Sequence, residues 1–481
     1  MTESNKVRTR FAPSPTGFMH IGNLRSALYE YLVAKSHKGA FILRIEDTDQ
    51  DRIVEGSIEV IYRTLSTCGL IHDEGPDIGG PYAPYIQSER LDRYLPYATR
   101  LVEEGKAYYC FCNRAEQTEA EYNGYDRRCR DLPAEEVAAH MAAGDSFVIR
   151  QKMPLTGETS FTDQVFGTIT VENKELEDQV LIKSDGFPTY NFANVIDDHE
   201  MGITHVVRGS EYLSSTPKYN LLYEALGWEI PIYVHLPLIL GEDGSKLSKR
   251  HCATSFADLV ELGYLPEAII NYIAFLGWSP GDDTRELFTL QELENVFSTS
   301  GINKSPAIFS LDKLNWFNEQ YLRDMPGDDF IDLIRPWTDK VFGDRFYDLS
   351  VLASVLQTRI HKLADIPDLI DFMVEPDPLT LDLYVQKRSK LRPESALEIL
   401  EHLYPILEEL RVWSHDSIKE ELDLYLEQSG HKLGRVMGAI RPSLSGRNVT
   451  PGGAIEMLLI LGREESLRRL GYASEYLRQQ S

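Results

Sequence analysis

The sequence predicts an α/β fold: a parallel-sheet domain first and an all-helical region after it. Three observations predict this. A strand, helix, strand succession fills residues 7 to 45, and two further compact apolar runs stand at Ile203 to Val207 and Tyr233 to Leu240. From Pro326 onward the chain reads as helices, with Gly430, Gly446 and Gly462 where helices should stop.

Each element has a local reason. Val7 to Ala12 has the β-branched and aromatic content of a buried strand, which Pro13 and Pro15 stop. A helix is expected from Ile21 to about Lys38, with Leu24, Leu28, Tyr31, Leu32 and Ala34 on its apolar face and Gly39 at its end. Ala40 to Ile45 reads as the next strand, and Glu46-Asp47-Thr48-Asp49 follows at once. Strand, helix, strand implies a right-handed parallel unit. Its ligands would lie beyond the carboxyl ends of the strands, so Ser14, His20 and Glu46 should cluster there. The turn before the helix delivers His20, Gly22 and Asn23 to a helix N-terminus, where free N–H groups and the positive end of the dipole favour a phosphate. Neither Gly-x-x-x-x-Gly-Lys-Ser/Thr nor Gly-x-Gly-x-x-Gly after the first strand occurs.

Length and composition set the bounds. The 481 residues allow about three domains of roughly 150 residues. With 42% hydrophobic and 26% charged residues the composition is that of a globular protein, and no apolar run approaches the roughly 20 residues a membrane span needs. The N-terminus shows no apolar signal segment, so the cytoplasm is the expected location and no membrane partner is expected. A net charge of −26 argues against nonspecific wrapping of nucleic acid, leaving local basic clusters such as Lys246 to Arg250. Five cysteines are too few and too unevenly placed for a disulfide framework.

The stretch Arg10-Phe-Ala-Pro-Ser-Pro-Thr-Gly17, then His20-Ile-Gly22-Asn23 and Leu43-Arg-Ile-Glu46-Asp-Thr-Asp49, resembles the first catalytic block of a class I aminoacyl-tRNA synthetase of the bacterial glutamyl type. The second signature of that class, a basic Lys-x-Ser-Lys loop, stands at Lys246-Leu-Ser-Lys249-Arg250 after a turn-rich Gly241 to Ser245. A middle block runs from Lys183 through Tyr190, Asn194 and Asp198 to Arg208 and Glu211. The likeness is nearly continuous to about Tyr321.

The resemblance implies a Rossmann-like catalytic domain in two halves, 1–103 and 182–254, with an inserted acceptor-end-binding module at 104–181. A helical stem-contact region at 255–325 and a helical anticodon-binding domain at 326–481 would follow. The implied activity is ligation of L-glutamate to tRNA(Glu) through a glutamyl-adenylate. Glutamate would be bound by Arg10, Ala12, Ser14, Glu46, Tyr190, Asn194 and Arg208. An arginine fork meets a carboxylate with two charge-assisted bonds that a carboxamide cannot fully match. ATP with Mg2+ would be bound by His20, Gly22, Asn23, Glu211, Lys246 and Lys249, with His20, Asn23, Lys246 and Lys249 as the catalytic set. The alternatives are an enzyme that also charges tRNA(Gln) and a catalytically inactive RNA-binding relative; a monomer is the family expectation.

Cys110, Cys112 and Cys129 supply three thiols in a short span, consistent with a structural Zn2+ site. Tyr125 and Asp131 are both candidates for the fourth ligand, and three reduced thiols without metal are the alternative. Cys68 reads as a buried small apolar side chain. Cys252 directly follows His251 where the family usually has glycine. Further helical signals are a pair around Pro266 within Ser255 to Gly277 and a capping box at Thr289-Leu-Gln-Glu292. Glu394 to Arg411, Ser417 to Gln428 and Pro451 to Leu461 also read as helices, the last with Thr450 as N-cap. Arg359, Arg441 and Arg447 are plausible members of an anticodon-reading face.

Overall fold

The computed structural model describes residues 6–17, 19–49, 52–112, 125–247, 255–281 and 283–480. The chain forms two compact units, Met1–Val260 with Ile269–Leu311, and Glu261–Ala268 with Asp312–Ser481.

The first unit opens as expected with β1 (Arg8–Phe11), α1 (Ile21–Ser36) and β2 (Ala40–Leu43). The two strands are parallel neighbours in register from Arg8 opposite Ala40 to Phe11 opposite Leu43. The helix ends two residues earlier than expected, and the left-handed turn falls on Lys38, φ 54°, rather than on Gly39. Glycine is needed at 39 for a different reason: a Cβ there would overlap the carbonyl oxygens of Val7 and Ala34. That close approach lets Ala40 N–H reach Val7 C=O at 2.8 Å and start the strand pairing.

Between the two parts of the parallel fold come α2 (Ser57–Thr67), α3 (Leu91–Glu103), β3 (Ala107–Cys110), α4 (Ala134–Ala143), β4 (Val148–Gln151), β5 (Glu158–Asp163), β6 (Gly167–Glu172) and β7 (Val180–Ile182). Strands β3, β4 and β7 make an antiparallel sheet. The chain then runs through α5 (Tyr190–Glu200), β8 (His205–Gly209), α6 (Thr216–Leu226), β9 (Ile232–Leu236) and β10 (Ile239–Leu240). The apolar run Tyr233 to Leu240 is therefore two strands rather than one, broken at Pro237, which has no N–H for a ladder. A second sheet has the order β6-β5-β9-β8, with β8 and β9 parallel and β5 joining β9 at Asp163 opposite Tyr233. Thus a hairpin from within 104–181 is part of the sheet that carries Arg208. A main-chain bond from Thr204 N–H to Arg8 C=O, 3.0 Å, ties the approach to β8 to β1.

Helices Phe256–Glu261 and Pro266–Ala274 form the pair expected around Pro266. The capping box is present: Glu292 N–H donates to Thr289 Oγ1 at 3.2 Å and Thr289 N–H to Glu292 Oε2 at 2.8 Å.

The second unit is helical, and no strand follows Ile308 among the described residues. Its core is built from residues such as Phe330, Ile334, Leu352, Leu400, Leu403, Ile440 and Leu458. Helix Pro393–Glu409 matches the sequence reading closely, and His415–Ser429 is capped by Ser414, whose Oγ accepts from Ser417 N–H. Gly430 and Gly446 end their helices in left-handed conformation. Thr450 is not an N-cap: its hydroxyl donates to Gly452 C=O at 2.6 Å, and the helix starts at Ala454. At Gly462 (φ 74°, ψ 172°) the backbone leaves the helical region, so the helix from Ala454 stops there as expected and a second helix runs on to Gln480.

Candidate active site

The N-terminal turn presents the end of α1 bare. His20 is its N-cap in extended conformation, no side chain among the described residues caps the helix, and its first turn holds no acidic residue. The leading N–H groups are thus left for a ligand. A Cβ on Gly22 would meet nothing within 4 Å among the described residues, so the backbone there borders open space between them. The turn is braced by Phe256 N–H donating to Met19 C=O at 3.3 Å and by a bridge between His20 and Ser255.

A cavity of about 460 Å³ opens on this helix end, lined among others by His20, Gly22, Asn23, Glu211 and Lys246. Five residues expected to meet one nucleotide therefore border one space, though Glu211 lies 188 positions or more from the others on one side. Lys246 is exposed at the end of a tight turn, paired across to Leu240, with Gly241 N–H donating to Ser245 C=O at 2.8 Å. Lys249 and Cys252 lie outside the described residues. The cavity wall also includes Arg25, to which the sequence reading gave no role. It is buried, donates from Nη1 to Leu276 C=O at 3.0 Å and from Nη2 to Pro237 C=O, and its Nε has no partner among the described residues. Burial lowers its pKa against the opposing fields of Tyr29 and Glu211.

The residues expected to meet the amino acid sit around the carboxyl ends of β1, β2 and β8. Glu46 N–H donates to Pro13 C=O at 3.0 Å, which brings the segment after β2 against the turn holding Ala12 and Ser14. Arg10 and Arg44 are buried with three carboxylates. Arg10 Nε meets Asp198 Oδ1 at 2.9 Å and its Nη1 meets Glu30 Oε1 at 3.4 Å, while Arg44 reaches the same Asp198 oxygen at 2.7 Å and Glu46 Oε1 at 2.8 Å. Burial pushes the Asp198 carboxyl up, but Arg10 and Arg44 outweigh it and hold it below the usual carboxylate range. Burial wins at Glu46 and Glu30, whose carboxyls are raised. Arg10 is thus not a surface ion pair; Nη2 is the part of its fork that makes no hydrogen bond among the described residues.

Arg208 is different. It is buried, yet no carboxylate contacts it among the described residues; its guanidinium lies over the rings of Tyr212, Tyr219 and Tyr233 at 5.1, 4.6 and 5.3 Å. Tyr190 is stacked at a tilt on Tyr212, 5.8 Å between centroids, and its phenol pKa is raised by burial, then by Glu46, Tyr212 and Tyr219, with Arg208 opposing. Buried polar atoms without hydrogen-bond partners among the described residues include Asn194 Nδ2, Tyr233 Oη and Glu30 Oε2. Such atoms cost stability unless something polar meets them.

The cysteines expected to hold a metal come together. The sulfurs of Cys110, Cys112 and Cys129 lie within 4.8 Å of one another, and Tyr125 Oη is 3.2 Å from Cys110 Sγ and 4.0 Å from Cys112 Sγ. Asp131 points elsewhere: it is exposed and faces Lys152 Nζ at 3.6 Å. Cys68 is buried as expected.

In the second unit, Arg447 is held by Asp377 at 2.6 Å and Asp371 at 3.0 Å, and Arg441 Nη1 donates to Asn448 C=O at 3.2 Å. Arg359 is exposed. The sequence reading missed Arg25, Arg44, Asp198, Asp163, Thr216 and His235. One signal was available: a histidine inside the otherwise apolar run Tyr233-Val-His-Leu is a buried polar group that needs partners.

Residues 6–316 match the family of class I tRNA synthetases (E and Q), catalytic domain, and residues 329–474 match the anticodon binding domain family. The chain is 52% identical to the glutamate--tRNA ligase of Clostridium botulinum (strain Eklund 17B / Type B), over 99% of this chain and 100% of that protein. It is 50% identical to the glutamate--tRNA ligase of Clostridium acetobutylicum, over 98% and 99%. The crystal structure of a glutamate tRNA ligase from Elizabethkingia meningosepticum in complex with its amino acid superposes with a TM-score of 0.90 at 38% identity, covering 98% of this chain and 100% of that one. No helix among the described residues is long and apolar enough to cross a membrane. The chain belongs to the class I tRNA synthetases of the E and Q type.

Proposed function

We propose that the chain ligates L-glutamate to the 3′ end of tRNA(Glu). In the first step an α-carboxylate oxygen of glutamate attacks the α-phosphorus of ATP, and the bond to pyrophosphate breaks. In the second, a hydroxyl of the terminal ribose attacks the adenylate carbonyl and AMP leaves. The observation that carries this reading is the joining of His20, Gly22, Asn23, Glu211 and Lys246 on one cavity at a bare helix N-terminus, together with near full-length identity to glutamate--tRNA ligases.

The residues divide by charge. N–H groups at the start of α1, with His20, Asn23, Lys246 and Lys249, meet the phosphates and stabilise charge as it develops on phosphorus. Mg2+ accompanies the ATP phosphates and spreads their charge. Gly22 lets the nucleotide approach the backbone, and Glu211 lies beside its ribose or adenine. Arg208, and the free edge of Arg10, hold the side-chain carboxylate of glutamate, Glu46 holds its ammonium, and Ala12, Ser14, Tyr190 and Asn194 line the pocket. No side-chain nucleophile is required, because the two attacking oxygens belong to the substrates. Residues 104–181 serve the acceptor end, 255–325 the stem and 326–481 the anticodon, and the enzyme works in the cytoplasm.

For the thiol cluster, three sulfurs and the Tyr125 phenol fit a tetrahedral Zn2+, which would brace the segment around β3 rather than react. Metal analysis of the purified protein tests that. ATP–pyrophosphate exchange with glutamate, with and without tRNA(Glu), tests the activity. Exchange is expected with glutamate and not with glutamine. No exchange in either condition sinks the synthetase reading, and better exchange with glutamine sinks the arginine-fork argument.

A further inference from the structure

Among the described residues, Arg208 donates hydrogen bonds only to neutral acceptors. Its Nε donates to His235 Nε2 at 3.2 Å and its Nη2 to Thr216 Oγ1 at 2.8 Å. The Thr216 hydroxyl lies 2.9 Å from Tyr212 C=O and 3.3 Å from His235 Nε2; donated to the nearer carbonyl, its proton leaves the oxygen lone pair facing Arg208. Nη1 makes no hydrogen bond among the described residues.

Behind His235 stands Asp163, at the end of β5. Its Oδ1 accepts from the N–H groups of Val165 and Phe166 at 2.9 and 2.8 Å. Its Oδ2 accepts from His235 Nδ1 at 2.7 Å and from the His235 main-chain N–H at 3.0 Å. Asp163, His235 and Thr216 are all at or below 1% exposure. A carboxylate with all of these donors is held ionised, so Nδ1 of His235 carries the imidazole proton and Nε2 is left as an acceptor. That tautomer is the one Arg208 needs.

The anion is therefore one imidazole removed from the guanidinium. A carboxylate placed directly on Arg208 would neutralise it, as Asp198 does for Arg10. Here orientation is supplied without local neutralisation, and the positive charge is kept for a ligand. We propose that Asp163 and His235 are positioning residues that hold Arg208 in one orientation, charged and uncompensated, for the side-chain carboxylate of glutamate. This rests on the glutamate-binding role proposed for Arg208.

Replacing Asp163 by Asn is nearly isosteric but reverses the relay. The N–H groups of Val165 and Phe166 fix the amide oxygen at the Oδ1 place, so the NH2 faces His235 and opposes its main-chain N–H as well as its ring Nδ1. Nδ1 must then accept, the proton moves to Nε2, and two donors confront each other at Arg208 Nε. The hydrogen bonds of a charged group are at stake, so KM for glutamate in aminoacylation of tRNA(Glu) is expected to rise roughly tenfold to a hundredfold in Asp163→Asn, with KM for ATP unchanged. His235→Leu, which offers no acceptor, should behave alike. His235→Gln, which can place an oxygen near the Nε2 position, should recover most of the loss.

Arg208→Ala is measured beside them. If it raises KM for glutamate selectively while Asp163→Asn and His235→Leu match the unaltered chain, the relay is refuted and the role of Arg208 stands. If Arg208→Ala leaves KM for glutamate unchanged, the reading of the site fails and the relay with it. Equal rises in KM for glutamate and ATP in Asp163→Asn, or no recovery in His235→Gln relative to His235→Leu, would show a merely structural role and overturn the proposal. Should His235→Leu fail to fold, the Asp163→Asn measurement and the comparison of His235→Gln with the unaltered chain decide the matter.

Discussion

Gly22→Ala separates stability from function at the nucleotide cavity. Gly22 is the second residue of α1, its φ is not in the left-handed region, and a Cβ built on it touches nothing within 4 Å. The folded chain accepts the methyl without strain. Alanine also narrows the unfolded ensemble and favours the helix, so stability should be unchanged or raised by about 0.4–1 kcal/mol. The space the methyl enters, however, is the cavity of about 460 Å³ that borders the bare helix end. A phosphate or ribose resting on that backbone is held away from the N–H groups it would otherwise accept from. Loss of one charge-assisted hydrogen bond is worth about 1.5–3 kcal/mol, or roughly a tenfold to hundredfold rise in KM for ATP. ATP–pyrophosphate exchange at saturating glutamate and tRNA(Glu), with a melting curve of the same preparation, reads both quantities. A stable variant with unaltered KM for ATP would show that the nucleotide does not lie against Gly22. A destabilised variant would refute the claim that the space is open.

Asp198→Asn removes the carboxylate that Arg10 and Arg44 share, and breaking a buried pair of this kind costs about 3–5 kcal/mol. Because the Asp198 carboxyl is held below its ordinary 3.8 in the folded chain, its stabilisation is fully present above that pH and is lost as pH falls toward the lower folded value. The gap in melting temperature between the unaltered chain and Asp198→Asn should therefore hold down to about pH 4 and close only as pH falls further, and a gap that stays constant below that range would remove Asp198 from the acid response. For Lys249→Ala, adenylate formation should be impaired with tRNA binding mostly kept; normal glutamate activation would remove Lys249 from the mechanism.

What was legible in the sequence was what depends on neighbours in the chain. His20, Gly22 and Asn23 could be placed at a helix N-terminus because strand, proline turn and helix follow one another within a few residues. The capping box at Thr289 is likewise a spacing of three. The ion network could not be read in this way. Arg10 meets Asp198 188 positions away and Glu30 20 positions away on the buried side of α1, and only the fold brings them together. Asp163 was hidden more thoroughly. It falls in a stretch that reads as a separate insertion, and it reaches His235, which in turn meets Arg208, because β5 pairs with β9 of the same sheet. Thr450 misled because a threonine before a helical pattern is a common N-cap, whereas here its hydroxyl closes a local turn with Gly452. Arg447 could not be distinguished from an RNA-facing arginine until Asp371 and Asp377 were found on it.

The chemistry that supports a buried arginine separates two classes in this chain. Arg10, Arg44, Arg90 and Arg469 each touch a carboxylate, the last two at 2.7 Å from Asp197 and 2.6 Å from Glu465. Arg25 and Arg208 touch none among the described residues; carbonyl, imidazole and hydroxyl acceptors hold them instead. A chain with 75 acidic and 49 basic residues has no shortage of carboxylates, so the lack of one at these two positions is a property of the site and not of composition. An uncompensated buried charge costs several kcal/mol in the empty protein. The rings and neutral acceptors offset part of that cost, and an anion from outside would recover more of it, so binding would gain the difference. Arg25 borders the cavity assigned to the triphosphate, and Arg208 stands where the glutamate carboxylate is proposed to lie. The same reasoning explains why Arg208 is backed by a neutral histidine. An aspartate in direct contact would remove the cost, and with it the preference for a carboxylate over a carboxamide.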